Sequence, residues 1–463
     1  MGVPVSATSK KLFGTDGVRG VVNKWLTPEQ VTRLALAIGS FFKEGSKLLV
    51  GRDARAGNSF IVNSVISALL STGVKVYYAG LAPTPALQYY VKHHDFDGGV
   101  IVTASHNPPE YSGIKVIMDD GIEAPRDVES EIEAIYWELK FRRPSWSTLG
   151  GDIRRVDDVN EFYIKGILDL LDIERIRRQK MKVVVDPGNN VGSLTTPKLL
   201  RALNMKVTVV NGDLSHIPDR PPEPVPENLQ ETASIVKALK ADLGIAHDGD
   251  ADRAIFIDDG GRVIPGDRSA ILLCKHIVKN RGETEPSRVV TAVSSSTLVE
   301  DLLRKYGIEV IWTRVGSIDI SRTMTSIGAI AGFEENGGFM YPRHQYVRDG
   351  AMALGLMLEF LSTERRRLSE LYDEMPKRHI IKTKIPIKNR EEALKAIEVL
   401  KVQYRSKRII DVDGIKVIDK SYWFLVRPSG TEPVLRIFVE SDTEELAKNI
   451  YNEVVSTIKD LLR

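Results

Sequence analysis

The chain is poor in cysteine, with one thiol, Cys274, in 463 residues. A single cysteine excludes an intrachain disulfide framework and fits a reducing compartment. Its apolar neighbours Ala270, Ile271, Leu272 and Leu273 mark it as a buried, inert side chain. Long apolar runs are also missing: none approaches the roughly 18 residues that cross a bilayer, and no apolar stretch of the signal-peptide kind opens the chain. The expectation is a soluble cytoplasmic protein without a membrane partner. A charge excess is lacking as well. The 64 Lys and Arg nearly balance 62 Asp and Glu, for a net +2. That balance argues against a nucleic-acid footprint, while leaving room for local positive clefts facing a small anion.

Hydrophobic residues make up 42% and charged residues 27%, an ordinary globular composition. The length exceeds one core and suggests roughly three to four domains. Short β-branched runs alternate with helical periodicity, the mark of α/β architecture. Thr27 caps a predicted helix, with Pro28 in its first turn, Gln30 completing a capping box, and Val31, Leu34, Ala35, Ile38 and Phe42 on one face. Strands are predicted at 47–51, 74–78 and 98–103, then at 182–185, 206–210 and 242–246. A third unit holds 254–257, 289–293, 309–312 and 329–331, and is followed by a helix-like stretch at 351–361. The last unit has strands near 380–387, 416–418, 423–426 and 435–439, then a helix over 444–462. The Pro-rich segment 219–226 reads as a rigid surface loop, and the Arg365-Arg366-Arg367 run as a solvated helix face.

Chemistry concentrates in a few segments. In Thr103-Ala104-Ser105-His106-Asn107-Pro108-Pro109, a hydroxyl stands on a tight turn at the end of an apolar strand, where open α/β sheets place ligands. A serine needs helpers to act as a nucleophile, and His106 and Lys115 are the candidates nearby. The alternative is an ordinary surface turn. Asp248, Asp250 and Asp252 follow a strand; clustered carboxylates need a cation or protons, and hard oxygen ligands suit Mg²⁺ or Ca²⁺. An EF-hand fails, because its sixth position is Arg253 rather than Gly and its twelfth is Asp259 rather than Glu. Aspartyl phosphatases of the haloacid-dehalogenase type also carry Asp-x-Asp after a strand, but with Thr or Val where this chain has Asp252. A solvated acidic turn is the bland alternative. In Arg427-Pro428-Ser429-Gly430-Thr431-Glu432-Pro433, a guanidinium fork, two hydroxyls and a Gly-freed backbone suit a phosphate dianion; Arg436 adds charge or is a strand-edge residue. The turn Phe13–Gly20 has glycines but no Gly-Lys-Ser/Thr, so it is no P-loop. His247, Trp312 and Tyr346 read as packing residues.

These segments occur in an order that resembles the α-D-phosphohexomutase superfamily, the phosphomannomutase/phosphoglucomutase and phosphoglucosamine mutase enzymes. They are Phe13–Gly20, Thr103–Lys115, Asp248–Arg253 and Arg427–Pro433, and they span nearly the whole chain. The resemblance implies three related α/β domains and a smaller C-terminal α+β domain round a central cleft. On this chain these are 1–150 with the serine loop, 151–253 with the metal loop, 254–370 with a sugar loop, and 371–463 with the phosphate loop. It implies a phosphohexomutase that interconverts hexose 1- and 6-phosphates through phosphorylated Ser105 and a hexose 1,6-bisphosphate. Mg²⁺ would be held by Asp248, Asp250, Asp252 and the serine's phosphate, with Arg253 on that phosphate. Lys115 is expected as general acid/base, in need of a lowered pKa, with Arg19 in support. Arg427, Ser429, Gly430 and Thr431 would grip the distal phosphate.

Gly332–Gly338 resembles the sugar loop, with Glu334 and Asn336 as its ligands. Where the common pattern is Gly-Gly-Glu-x-Ser-Gly-His, Asn336 replaces Ser and Gly338 replaces His. Ser317 and Ile318 remove a charge common elsewhere in the family, for which Arg314 or Arg348 is the candidate substitute. Phe13–Gly20 leans toward phosphoglucosamine mutases and Pro108–Tyr111 toward phosphomannomutase/phosphoglucomutases, so a broad sugar specificity is expected. Dimerisation is an expectation of the resemblance alone. A sugar phosphatase using the same serine and metal is the alternative enzyme, and a non-catalytic sugar-phosphate sensor is the third reading.

Overall fold

The computed structural model describes residues 11–281, 287–430 and 433–462. Among these, the strands group into four sheets. The first runs in the order Val18–Val21, Tyr111–Met118, Gly98–Val102, Lys47–Arg52, Lys75–Leu81, Arg154–Arg155. Its central strands are parallel. Gly98–Val102 is buried at every residue, as expected of a parallel strand covered on both sides.

The helix predicted after Thr27 spans Pro28–Phe41 and buries Val31, Leu34, Ala35 and Ile38. Its capping box is half made. Thr27 Oγ1 accepts from Gln30 N at 3.5 Å, but the Gln30 side chain accepts from the Tyr136 hydroxyl and ties the helix to Arg126–Glu138. Of the strands that escaped the pattern reading, two bear on the serine turn. Tyr111–Met118 pairs antiparallel with Gly98–Val102, placing Lys115 opposite Ile101. Val18–Val21 then pairs with it, placing Arg19 opposite Gly113. Ser112 and Lys115 break the apolar pattern of Tyr111–Met118, yet both are buried, because both reach polar partners inside the protein.

The second sheet is Val263–Ile264, Ile255–Ile257, Leu243–Ala246, Lys182–Asp186, Lys206–Val209. The segment 254–257, assigned from sequence to the third unit, belongs here instead: Ile255–Ile257 pairs antiparallel with Leu243–Ala246. The split expected at 253/254 thus falls between hydrogen-bonded neighbours, because the acidic loop is the connection of a hairpin. Likewise Arg154–Arg155, beyond the expected break at 150, completes the first sheet beside Lys75–Leu81. The third sheet is Ile308–Thr313, Ser287–Ala292, Ala331–Phe333, Phe339–Met340. The fourth is His379–Pro386, Val434–Ser441, Tyr422–Pro428, Ile415–Ile418, Arg408–Ile410, antiparallel throughout. Arg365–Arg367 is solvated as expected, but it forms the turn between Gly350–Glu364 and Leu368–Asp373 rather than a helix face. The Pro-rich loop is more anchored than a surface loop: Arg220 is buried, donating to Asp186 at 2.8 Å and to the His247 carbonyl at 2.7 Å.

One continuous apolar cluster runs from Leu49 through Ile245 and Phe333 to Leu371, so the first three units share a core. The fourth unit has its own, from Ala393 to Ile458. It docks on the third through Val293, Trp423 and Leu425, with Trp312 packed alongside. Beside that seam, Lys416 Nζ lies 4.0 Å and 4.2 Å from the ring centroids of Trp312 and Trp423 and donates to the Ser295 carbonyl. Glu440 there accepts from Arg268, Ser296 and Trp423.

Burial pushes the Lys416 amine down to about 7, against the pull of Glu440 and Asp267. Between pH 7 and the ordinary value of 10.5 the unfolded chain therefore binds the extra proton, and stability rises with pH across that window. Lys416→Met should remove this component. In denaturant unfolding from pH 7 to 10, wild type should gain stability over the variant by up to about 1.4 kcal/mol per pH unit. Parallel curves would show that Lys416 stays charged in the fold.

Candidate active site

Three of the four sheets deliver a functional loop at the carboxyl end of a strand. Gly98–Val102 leads to Ser105, Leu243–Ala246 to the three aspartates, and Ala331–Phe333 to Glu334. This is where α/β sheets expose unpaired backbone and gather ligands.

Ser105 is fully buried and has a φ of 51°, a left-handed conformation that costs energy in a non-glycine residue. The surroundings enforce it. Thr103 Oγ1 accepts from Ser105 N at 2.9 Å and donates to Asp53 at 2.7 Å. Arg55, itself buried, donates to the Ser105 carbonyl. Arg19 donates to the Ala104 carbonyl at 3.1 Å and to Asn107. The Ser105 hydroxyl donates to Asp248 Oδ2 at 2.6 Å. Gly249 allows the acidic loop this close, since a Cβ there would stand 2.5 Å from the Ser105 carbonyl oxygen.

His106 does not have the role of a base on Ser105. Its Nδ1 is 3.3 Å from Ser105 Oγ but 2.8 Å from Arg253 Nη2. A guanidinium can only donate, so Nδ1 is its acceptor. Burial, then the charges of Arg253, Arg19 and Arg348, hold the imidazole well below its ordinary pKa. His106 is a neutral prop for Arg253. The Arg253 Nε is buried without a hydrogen-bond partner among the described residues, 3.7 Å from Asp248 and 3.9 Å from Asp252.

Asp248, Asp250 and Asp252 are buried, each offering an oxygen within 4.8 Å of the others. Burial, then Asp252 and Asp250, push the Asp248 carboxyl upward. Burial also acts on Asp250, but Lys115, the Thr84 hydroxyl at 2.7 Å and Arg348 outweigh it and take that carboxyl below its ordinary value. Asp250 Oδ1 and Asp252 Oδ1 accept no hydrogen bond among the described residues. Orphaned, buried carboxylate oxygens fit a hard divalent cation.

Lys115 is buried among Asp16 at 3.0 Å, Asp250 at 3.2 Å and Asp252 at 3.6 Å. The lowered pKa expected for it is not found. Burial does act downward, but the three carboxylates outweigh it and raise the amine above its ordinary value. Its position opposite Ile101 on an inner strand puts it among acids that the sequence does not place near it.

Asp16 escaped as a site residue, and Arg348 was named only as a candidate substitute for a missing charge; the structure puts both at the centre. Asp16 Oδ2 accepts from Arg19 at 2.8 Å, Lys115 at 3.0 Å and Arg348 at 2.9 Å. Arg348 also reaches Asp252 at 2.5 Å and Glu334 at 3.2 Å. The available signal was Arg348-Asp349-Gly350: Asp349 caps the helix Gly350–Glu364, so the arginine before it is held in a fixed direction. Arg314 turns away, donating to the Val412 carbonyl at 3.2 Å, so Arg348 is the arginine of the candidate pair that reaches the centre. Asn336 Oδ1 accepts from Gly338 N at 3.2 Å and shapes the loop. His247 is structural as expected, between Thr196 at 2.8 Å and the Arg253 carbonyl at 2.7 Å.

Arg427 stands on the strand Tyr422–Pro428 and donates through Nε to Asp413 at 2.7 Å, which orients its guanidinium. Ser429 N donates to the Val434 carbonyl at 2.9 Å. A Cβ at Gly430 would lie 3.4 Å from Thr15 Oγ1, so the loop faces the segment that carries Asp16 and Arg19. Thr431 lies outside the described residues.

Comparison with known proteins agrees with this layout. Family models described as phosphoglucomutase/phosphomannomutase match in series: alpha/beta/alpha domain I over residues 10–143, domain II over 161–261, domain III over 265–379, and the C-terminal domain over 382–457. A phosphoglucosamine/phosphogalactosamine mutase of Sulfurisphaera tokodaii is 52% identical over 454 residues, covering 97% of this chain and 99% of the relative. A phosphoglucomutase/phosphomannomutase of Thermococcus kodakarensis is 39% identical over 458 residues, covering 98% and 99%. A solved phosphoglucomutase/phosphomannomutase family protein of Burkholderia thailandensis superposes with a TM-score of 0.86 at 24% identity, covering 97% of each chain, a likeness of fold.

The contact at Gly249 makes a test of the geometry. Gly249→Ala drives a methyl against backbone rather than a yielding side chain. It should destabilise the fold by roughly 1–3 kcal/mol, the range for overpacking a tight interior, measured by denaturant unfolding. An unchanged midpoint would mean that the acidic loop does not press on the serine turn.

Proposed function

The chain belongs to the phosphoglucomutase/phosphomannomutase family, and we propose that it acts on amino-hexose phosphates as a phosphohexomutase, with Ser105 as the phosphoryl carrier. The carrying observation is the Ser105 hydroxyl, 2.6 Å from a three-carboxylate cluster on a strand-end turn. The amino sugar is suggested by the 52% identical relative, a phosphoglucosamine/phosphogalactosamine mutase by name. The intermediate proposed is a hexose 1,6-bisphosphate that reverses in the cleft between two transfers.

In the first transfer a sugar hydroxyl oxygen bonds to phosphorus, the bond from phosphorus to Ser105 Oγ breaks, and the proton given up by the sugar hydroxyl is balanced by one taken up at Ser105 Oγ. In the second, Ser105 Oγ bonds to the other phosphorus, the bond to that sugar oxygen breaks, and the proton balance reverses. Mg²⁺ is the proposed occupant of Asp248, Asp250 and Asp252, and when bound it supplies positive charge beside the transferring group. Arg253, steadied by His106, pairs with the serine's phosphate. Lys115, held charged by its carboxylates, is the proposed proton donor to the leaving oxygen. A loose phosphoryl-transfer transition state needs little base assistance at the start. Arg19 fixes the serine turn and shares Asp16 with Lys115. Glu334 and Asn336 take sugar hydroxyls. Arg427, with Ser429, Gly430 and Thr431, holds the phosphate that is not reacting. Complete burial of Ser105 keeps bulk water from the phosphoserine, which favours transfer to a sugar over hydrolysis.

The direct test is intact-mass analysis with a coupled mutase assay on glucosamine phosphate. Wild type should carry a phosphate adduct. Ser105→Ala should lack it and lose at least about 10³-fold in kcat, since no other carrier replaces the serine. A fully active alanine variant would remove Ser105 from its role.

Arg427 gives a second test. Arg427→Lys keeps the charge but loses the bidentate fork, and Arg427→Ala loses both. The alanine variant should cost on the order of 2–5 kcal/mol in kcat/KM, the scale for truncating a charged hydrogen-bonded pair, with lysine in between. One loop serves both orientations of the bisphosphate, so forward and reverse reactions should suffer alike. A defect in one direction only would contradict the shared role.

A further inference from the structure

Arg348 stands where the sugar loop, the acidic loop and the Asp16 segment meet. Its guanidinium is 5% exposed. Nη1 is 3.2 Å from Glu334, and Nη2 lies 2.9 Å from Asp16 and 2.5 Å from Asp252. The route of its stem is set by Gly338. A Cβ at that glycine would stand 2.4 Å from Arg348 Cδ and 2.8 Å from Cγ, so any larger residue there would displace the stem. The missing side chain in the sugar loop and the buried arginine are one arrangement. The stem passes over Gly338, and its charge arrives at Glu334 from the protein side.

Glu334 is 2% exposed. A carboxylate this buried must find a cation or take up a proton. Arg348 is its ion-pair partner among the described residues. If the pair were missing, a sugar carrying an ammonium group could supply the charge, whereas a neutral sugar would leave the carboxylate uncompensated. With the pair in place, both sugars meet a carboxylate that is already neutralised and oriented.

We propose that Arg348 is a positioning and specificity residue, holding Glu334 as a charge-compensated acceptor of hydroxyl hydrogen bonds, so that neutral hexose phosphates are accepted beside amino-hexose phosphates. This rests on the reading of the chain as a phosphohexomutase with Glu334 at the sugar. The charge that sets sugar preference comes from a residue that does not itself touch the sugar.

The experiment compares kcat/KM for glucosamine 1-phosphate and glucose 1-phosphate in wild type, Arg348→Met, Arg348→Lys and Gly338→Ala, with folding checked by circular dichroism and thermal melting. Wild type should turn over both. Arg348→Met should shift the ratio toward the amino sugar by roughly tenfold, the scale separating a charge-assisted hydrogen bond from a neutral one. Arg348→Lys, which keeps the charge, should restore most of the wild-type ratio. Gly338→Ala, which moves the stem without deleting the charge, should shift the ratio in the same direction as methionine. It also decides the question if Arg348→Met does not fold. An equal loss on both sugars in the folded variants would make Arg348 merely structural and overturn the proposal. If wild type isomerises neither sugar phosphate, the failure is that of the mutase reading itself.

Discussion

The structure depends on the confinement of like charges in a place without water. Asp248, Asp250, Asp252, Asp16 and Glu334 are nearly or fully buried, and buried carboxylates are tolerated only beside cations or protons. Lys115 comes from the first sheet, Arg253 from the end of the acidic loop and Arg348 from the segment before Gly350–Glu364. No single unit carries both the acids and enough bases. The packing of the first three units on one apolar cluster and the neutrality of the centre therefore require each other. Oxygens of Asp250 and Asp252 are left over, and these are the positions that a divalent cation suits.

The same constraint accounts for the strained backbone. Ser105 has a φ of 51° and Ala251 one of 58°, in the two loops that face each other across the Ser105–Asp248 hydrogen bond. A relaxed turn at either residue would redirect that contact. The strain is held by Thr103, Asp53 and Arg55 on one side and by the contact of His247 with the Arg253 carbonyl on the other. Polar groups packed under the serine supply rigidity, and a preorganised site is what phosphoryl transfer needs most from a protein.

The fourth unit follows a different rule. It has its own core and meets the third across a small aromatic seam that holds Lys416 and Glu440. Its loop approaches Thr15, next to the Asp16 that anchors the charged centre. If the Arg427 loop grips phosphate as proposed, its place on a separately cored unit lets it adjust to a ligand without repacking the buried acids, which suits a substrate held by either end.

The sequence by itself determined the α/β class, most strands of the parallel sheets, the capped helix after Thr27, the serine turn and the acidic loop, and it marked the Arg427–Pro433 segment as a candidate phosphate loop. Each of these is local: periodicity, capping and turn chemistry act over a few residues, and the four segments in order carried the family. What escaped was set at long range. Tyr111–Met118 is a strand because Gly98–Val102 and Val18–Val21 flank it, not because its own pattern alternates. Ile255–Ile257 belongs to the second sheet because the acidic loop folds back as a hairpin. Lys115 is held charged, and His106 supports Arg253 instead of acting on Ser105, because a pKa and a tautomer are set by neighbours distant in sequence, such as Asp250 and Arg253. Arg314 and Arg348 were equal candidates in the sequence; only the fold turns Arg314 away and, with room left by Gly338, brings Arg348 to the centre. Tertiary structure decided these points because burial and charge compensation are properties of a place in the fold, which no stretch of sequence contains.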